Sequence, residues 1–287
     1  MEKVQINFIN TAPMNADELK IVLGDIRSGV RNWEDEDKVF LVKSMVQHIG
    51  STDSRLRDQL IYTSLYKLII EKNLLEHDLL KEVLDFCISG LLFKGIGKNG
   101  TDTVFTRSFT TLLIALILYR DNEDNFLTQI QINNVKDRLI EYINLEKDLR
   151  GYVSVKGWAH SIAHVADAFD ELVKNHKVSK ESYKVILNAL WKKVFVSDSV
   201  YVHDEAERLL IPIMEMVNNG LELGVIETLL HRIPDELLKL KKELDEVNYW
   251  FLVANCKLFL KSFYLEVKQN TSLLSLQATI EKCLSEI

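Results

Sequence analysis

The chain has 287 residues, 47% hydrophobic and 27% charged, which excludes a disordered or low-complexity polymer and leaves room for one large core or two smaller ones. Lys and Arg number 35 against 42 Asp and Glu, a formal charge of −7, so no global basic field advertises nucleic acid or an anionic membrane surface. Three prolines and eleven glycines are few for a protein of many short strands, and long helices are the natural alternative.

Asn15 to Arg27 and Glu34 to Ile49 alternate apolar and charged residues at helical spacing and predict an opening helix pair. Gly50-Ser51-Thr52-Asp53 stops one helix and caps the next, from about Arg55 to Lys72, and another follows from Glu76 to Leu92. The loop GIGKNGTD then spells G-x-G-x-x-G at Gly95, Gly97 and Gly100. A dinucleotide fingerprint needs a strand before it and a βαβ unit around it, whereas LKEVLDFCISGLL has helical periodicity. The loop reads instead as a helix stop followed by an Asp102 or Thr103 cap.

Thr103 to Tyr119 is apolar nearly all round and should lie centrally, with Arg107 near its start. Residues 123–145 supply one or two helices. From Asp148 to Leu172 comes the densest set of chemically capable side chains, DLRGYVSVKGWAHSIAHVADAFDEL. A helix over 158–172 would place Trp158, Ile162, Val165, Phe169 and Leu172 on one buried stripe and Ala159, Ala163 and Ala166 on another. His160, His164, Asp167 and Glu171 would then line a groove. Ser179 to Phe195 is a partner helix, and Asp204 to Val217 carries Glu205 and Arg208 early and Pro212 in mid-pattern, where a kink is expected. Pro234 opens a stretch that reaches Lys268 with a break near Asp245, and a last helix runs from Ser272 to Glu286.

No strand alternation of useful length occurs, so the fold class is all-α. The longer apolar helices begin near residues 55, 103, 157, 204 and 246, close to the roughly 40 to 47 residues of HEAT or armadillo units. An α-α superhelix of antiparallel helix pairs, one domain over residues 1–287, is the expectation.

Cys87, Cys256 and Cys283 are odd in number, far apart and set in apolar helical surroundings, which reads as core thiols of a reducing compartment. The start MEKVQINFIN lacks the basic residues and apolar run of a secretory signal, and Leu112 to Leu118 is shorter than the roughly 20 residues that span a bilayer. Cytoplasmic residence without membrane or nucleic-acid contact is expected.

RGYVSVKGWAHSIAHVAD, residues 150–167, resembles an uncharacterised bacterial family carried under a domain-of-unknown-function label. GIGKNGTDTVFTRSF at 95–109 and DEAERL at 204–209 share the resemblance, with a weaker match at DSRLRD, 53–58. It implies a HEAT-like helical fold and no activity. The family's motif positions map onto Asp102, Arg107, Arg150, Gly151, Gly157, Trp158, His160, His164, Asp167 and Arg208.

Two chemistries follow from these residues. His160, His164 and Asp167, with Glu205 as an additional ligand, can hold a divalent metal or perform acid–base work, although the chain lacks H-E-x-x-H. Arg107, Arg150, Lys156 and Arg208, with the histidines and Trp158 as an aromatic wall, can instead bind an anionic small molecule or peptide. The blander alternative pairs Arg107 with Asp102, and Arg208 with Glu205 or Asp204. No cofactor is required by any motif, and Trp158, Trp191 and Trp250 read as core. The expectation is a binding module whose pocket is shared by His160, His164 and Arg107, with Arg208 and Glu205 near its wall.

Overall fold

Capping residues and apolar periodicity set where the helices begin. The computed structural model describes residues 12–287, and the MEKVQINFIN segment lies outside the described residues. Helix α1 (Ala16–Ser28) starts at Asn15 in a reciprocal capping box with Glu18, and α2 (Lys38–Gln47) starts at Asp37, whose side chain accepts the Phe40 N–H. Residues 55–71 form α3, in which wide-turn segments Arg55–Tyr62 and Lys67–Glu71 flank an α-helical turn at Thr63–Tyr66. Then come α4 (His77–Ser89), α5 (Thr103–Asp124), and α6 (Gln129–Leu145), the last with a Thr128/Gln131 capping box. The remaining helices are α7 (Ser161–Lys174), α8 (Lys180–Trp191), α9 (Glu205–Asn218), α10 (Leu223–Leu240), α11 (Glu246–Val267) and α12 (Leu274–Glu286).

The all-α expectation holds, with one small exception where the densest motif lies. Tyr152–Val153 (β1) and Gly157–Trp158 (β2) pair antiparallel as a hairpin. The helix expected from residue 158 therefore starts three residues later. Its remaining stripes behave as read: Ile162, Val165, Phe169, Leu172, Ala163 and Ala166 are all buried. Trp158 is the correction. It is 40% exposed on the hairpin, and Trp250 is 56% exposed on α11, while Trp191 is buried as expected. Pro234 also departs from expectation, lying inside α10 rather than opening a helix, and Asp245 caps α11 by accepting the Asn248 N–H.

The helices form a row in which α3 touches α5, α5 packs on α7, α7 on α9 and α9 on α11, while α6 and α8 contact each other and both touch α7. Helix α7 thus sits at the centre, between α5 and α9. One continuous apolar core runs from Leu19 to Cys283 and includes Cys87, Cys256 and Cys283, all buried free thiols. Helix α5 is long and apolar enough to cross a membrane, but 83% of its apolar window is buried inside the fold. It is a core helix.

A second, small cluster of Val104, Phe105 and Ala159, with Val153 against it, lies under the hairpin. Beside it stands Arg57 of α3, whose side chain is fully buried. Its Nη1 donates to the Ser51 carbonyl at 2.6 Å, and its Nη2 to the carbonyls of Lys156 and Trp158 at 2.8 and 3.3 Å. Asp58 pairs with Nε at 2.8 Å, and the guanidinium lies 4.3 and 4.7 Å from the Phe105 and Phe109 ring centroids. Gly157, at φ +80°, passes so close that a Cβ would lie 2.8 Å from Ser54 Cβ and 3.1 Å from Arg57 Nη2. Replacing Arg57 with Met should leave three carbonyls without their donor and cost about 2 to 5 kcal/mol in urea denaturation. A loss below about 1 kcal/mol, the range of surface changes, would mean the hairpin is held by other contacts.

Candidate functional site

The hairpin folds back onto the start of α7 through backbone bonds, Ala159 N–H to the Gly151 carbonyl at 2.8 Å and His160 N–H to the Arg150 carbonyl at 3.0 Å. That return holds His160 in the left-handed region, φ 47°, at the N-cap of α7. Asp204 takes the same conformation, φ 64°, at the N-cap of α9. The starts of these two helices bring His160, His203 and Glu205 together with Trp158. The Trp158 and His160 rings stack at 4.4 Å between centroids; His203 meets Trp158 edge-on at 5.1 Å, and Tyr152 meets it edge-on at 5.0 Å. His164 follows one turn along α7, 5.6 Å from His160 by ring centroids and edge-on to Phe109.

Glu205 is buried at the first turn of α9. It accepts the His203 backbone N–H at 2.9 Å, and its Oε1 lies 3.8 Å from His160 Nδ1. Gly151 is required here, because a Cβ would lie 2.2 Å from His203 Nδ1 and 2.9 Å from Glu205 Oε1. Outside Gly151 opens a cleft of about 250 Å³, lined by Lys147, Arg150, Tyr152, Asn99, Asp198, His203 and Glu205, with Leu149, Val200 and Val202 as apolar wall.

The positively charged candidates separate. Arg150 borders this cleft, clamped by Asp148 at 2.7 Å through both Nε and Nη2. Lys156 is on the hairpin turn and pairs with Asp102 at 2.7 Å, which removes the expected Arg107–Asp102 pair. Arg107 does not face the cleft. It is fully buried in a two-pronged pair with Glu146, Nε at 2.6 Å and Nη2 at 2.8 Å, and its Nη1 binds the carbonyls of Lys94 and Gly95 and the Thr103 hydroxyl. The glycine-rich loop, with Gly95, Gly97 and Gly100 all at positive φ, thus wraps an arginine, and a helical turn at Leu91–Phe93, not a strand, leads into it. Arg208 pairs with Asp167 through Nε at 3.0 Å and through Nη2, rather than with Glu205 or Asp204. The single cavity expected to join His160, His164 and Arg107 is not formed: neither histidine lines the cleft, His164 is buried, and Arg107 lies behind it on the Glu146 side.

Asp167 is turned to Arg208, so it does not join His160 and His164 as a third metal ligand. Among the described residues no group of three or more His, Cys, Asp or Glu side chains is spaced to hold a metal ion. Sequence reasoning missed His203, Lys147, Tyr152, Asn99 and Asp198. His203 had a signal, standing immediately before DEAERL. The others reach the cleft through loop conformations that no periodicity encodes.

Burial dominates the electrostatics. It pushes the His160 imidazole down to about 4, helped by His203 and Arg208 and opposed by Asp204, and it holds His164 well below the ordinary histidine value with His160, Arg208 and Arg57 adding to the effect. Asp167 moves the other way, raised by burial against the pull of Arg208.

A family model described as "Protein of unknown function (DUF2785)" matches residues 92–265, which spans helices α5 to α10, the hairpin, the cleft and most of α11. The chain belongs to the DUF2785 family. No curated protein and no solved structure matches it. The family segment contains every cleft-lining residue, whereas Arg57, which clamps the hairpin, lies ahead of it.

Two measurements check this geometry. Glu146→Ala should cost about 3 to 5 kcal/mol, since it leaves the Arg107 charge buried without its carboxylate; thermal or urea unfolding reads it, and a surface-like loss would contradict the burial. For His160 the folded pKa lies below the unfolded one, so its contribution is complete above about pH 6.5 and is lost as pH falls toward 4, on the order of 3 kcal/mol. The carboxylates raised by burial act in the opposite sense, so the comparison is between proteins. His160→Asn keeps a neutral side chain that tolerates the left-handed backbone, and should lose less stability than the native chain between pH 7 and 4.5.

Proposed function

We propose that this DUF2785 protein is a binding module, one HEAT-like helix-pair domain acting in the cytoplasm, whose cleft beside Gly151 takes a small anionic molecule or the anionic group of a peptide. The observation that carries the reading is that the ammonium of Lys147 and the imidazole of His203, both on the cleft lining, have no hydrogen-bond or ion-pair partner among the described residues. Arg150 stands beside them with its orientation fixed by Asp148 and by the Thr101 carbonyl. A guanidinium already held in place loses little freedom on binding a further oxygen. The net charge of −7 argues for local recognition and against a polyanion such as nucleic acid.

One observation favours a second reading, an acid–base enzyme. A buried carboxylate, Glu205, lies 3.8 Å from the Nδ1 of an imidazole kept neutral, His160. Of the three residues first singled out for such chemistry, His160 alone keeps that role in this proposal. His164 is buried and Asp167 is engaged by Arg208.

Isothermal titration calorimetry with inorganic phosphate as probe tests the first reading. Saturable binding that raises the melting temperature and weakens about tenfold in Lys147→Ala is expected. Absence of saturable binding to the native protein would end the anion reading. Stoichiometric zinc, iron or manganese in protein purified without an affinity tag would favour a metal-assisted version of the second.

A further inference from the structure

The cleft's rim carries a feature that an anion site alone does not require. Tyr152 is 53% exposed and Trp158 40% exposed, and they are neighbours, edge-on at 5.0 Å. Leaving two large aromatics in water forgoes the burial that ordinarily stabilises them. The fold nevertheless holds them rigidly. Arg57 fixes the carbonyls on either side of Gly157, Gly151 accepts the Ala159 N–H, and the Val104, Phe105, Ala159 cluster fills the space beneath. A preorganised aromatic surface beside a polar cleft is what a planar ring binds, since little order is lost when it stacks.

The remaining lining has both signs, which a simple anion site would avoid. Lys147 and Arg150 supply donors to an anionic group, while Asp198 and the Asn99 amide, both exposed on the same lining, supply an acceptor and a donor-acceptor pair. Asp198 would repel a second phosphate but suits an exocyclic amine. A ligand with an anionic end, a flat face and an edge of mixed hydrogen-bonding groups satisfies all three sets at once. The volume of about 250 Å³ suits a small ligand rather than a polymer.

We propose that the ligand class of this cleft is a nucleoside monophosphate, its base stacked on the Tyr152 ring, which Trp158 buttresses edge-on, and its phosphate held by Lys147 and Arg150. The proposal rests on the anion reading of the cleft and narrows it. It owes nothing to the glycine-rich loop as a phosphate cradle; that loop contributes only Asn99.

The experiment is calorimetric titration of the full chain with AMP, GMP, CMP and UMP in turn, with adenosine and inorganic phosphate as part-ligands, on the native protein, Tyr152→Ala and Lys147→Ala. Both substituted side chains are exposed, and circular dichroism confirms that each variant is folded. At least one nucleotide should bind about tenfold or more tightly than phosphate. Tyr152→Ala should weaken that nucleotide about tenfold while leaving phosphate affinity unchanged, and Lys147→Ala should weaken nucleotide and phosphate but not adenosine. If phosphate binds and none of the four nucleotides binds more tightly, the nucleotide proposal falls and the anion reading stands. If a nucleotide binds with the same affinity to Tyr152→Ala, the stacking surface is wrong and the proposal falls. If neither phosphate nor any nucleotide binds, both readings fall.

Discussion

The charge on Arg57 has no access to water, and the shape of the candidate site depends on how that charge is satisfied. A lone guanidinium inside a protein is unfavourable by several kcal/mol unless its donors find acceptors. Here Asp58, three carbonyls and two phenylalanine faces do this together, and two of the carbonyls, those of Lys156 and Trp158, belong to the hairpin. Hairpin and arginine are thus mutually required. Without the hairpin the guanidinium loses acceptors, and without the guanidinium two short strands, too few to be stable alone, lose their anchor. Gly157 follows from the same contact, because any side chain would displace the group that holds the strand.

From that anchor the constraint passes along the chain. The strand leaves Trp158 outward and turns the backbone into the left-handed conformation at His160, which starts α7 with the imidazole against the indole. Asp204 repeats the arrangement one helix over, so that His203 and Glu205 meet His160 from α9. Left-handed backbone at two non-glycine helix starts is locally unfavourable and persists only where surrounding packing over-determines it. The tight approach of Gly151 to His203 and Glu205 is part of that packing.

Much of the fold was legible because helical burial is periodic. The stripes on α7, the central position of α5 and most helix boundaries follow from apolar spacing, with α1 opening after Asn15 and a break at Asp245, whereas the Thr128 cap of α6 lies inside a segment whose sequence predicts only one or two helices. The site was legible in composition but not in geometry. Trp158 fell on the extrapolated apolar stripe of a helix that begins three residues later, since a two-residue strand is too short to show alternation. The blander alternative pairs Arg107 with Asp102, and Arg208 with Glu205 or Asp204, acids only a few residues away. Each arginine instead pairs with a carboxylate about 40 residues distant, Glu146 and Asp167, because helix packing brings different elements together more closely than it brings neighbours on a helix start. Arg57 lay within the weakest of the matching segments, DSRLRD, and nothing local marks it as buried.

The two fully buried arginines make different contributions to the same region. Arg107 is closed on itself: Glu146 neutralises it, and the same carboxylate accepts the backbone N–H groups of Lys147 and Asp148 at 3.0 and 2.9 Å. Asp148 in turn orients Arg150 and accepts the Gly100 N–H at 3.0 Å, so the inner wall of the cleft is a chain of satisfied charges ending at its lining. Such a network favours one arrangement over its neighbours, since moving any member strands a charge in low dielectric. The side chains beyond its end behave differently. Among the described residues the Lys147 ammonium and the His203 imidazole have no hydrogen-bond or ion-pair partner, Tyr152 and Trp158 are partly exposed, and their backbone is held by the network, by Arg57 or, at His203, by Glu205. Rigid backbone beneath unsatisfied side chains separates a prepared surface from a merely exposed one, because binding there gives up little conformational freedom.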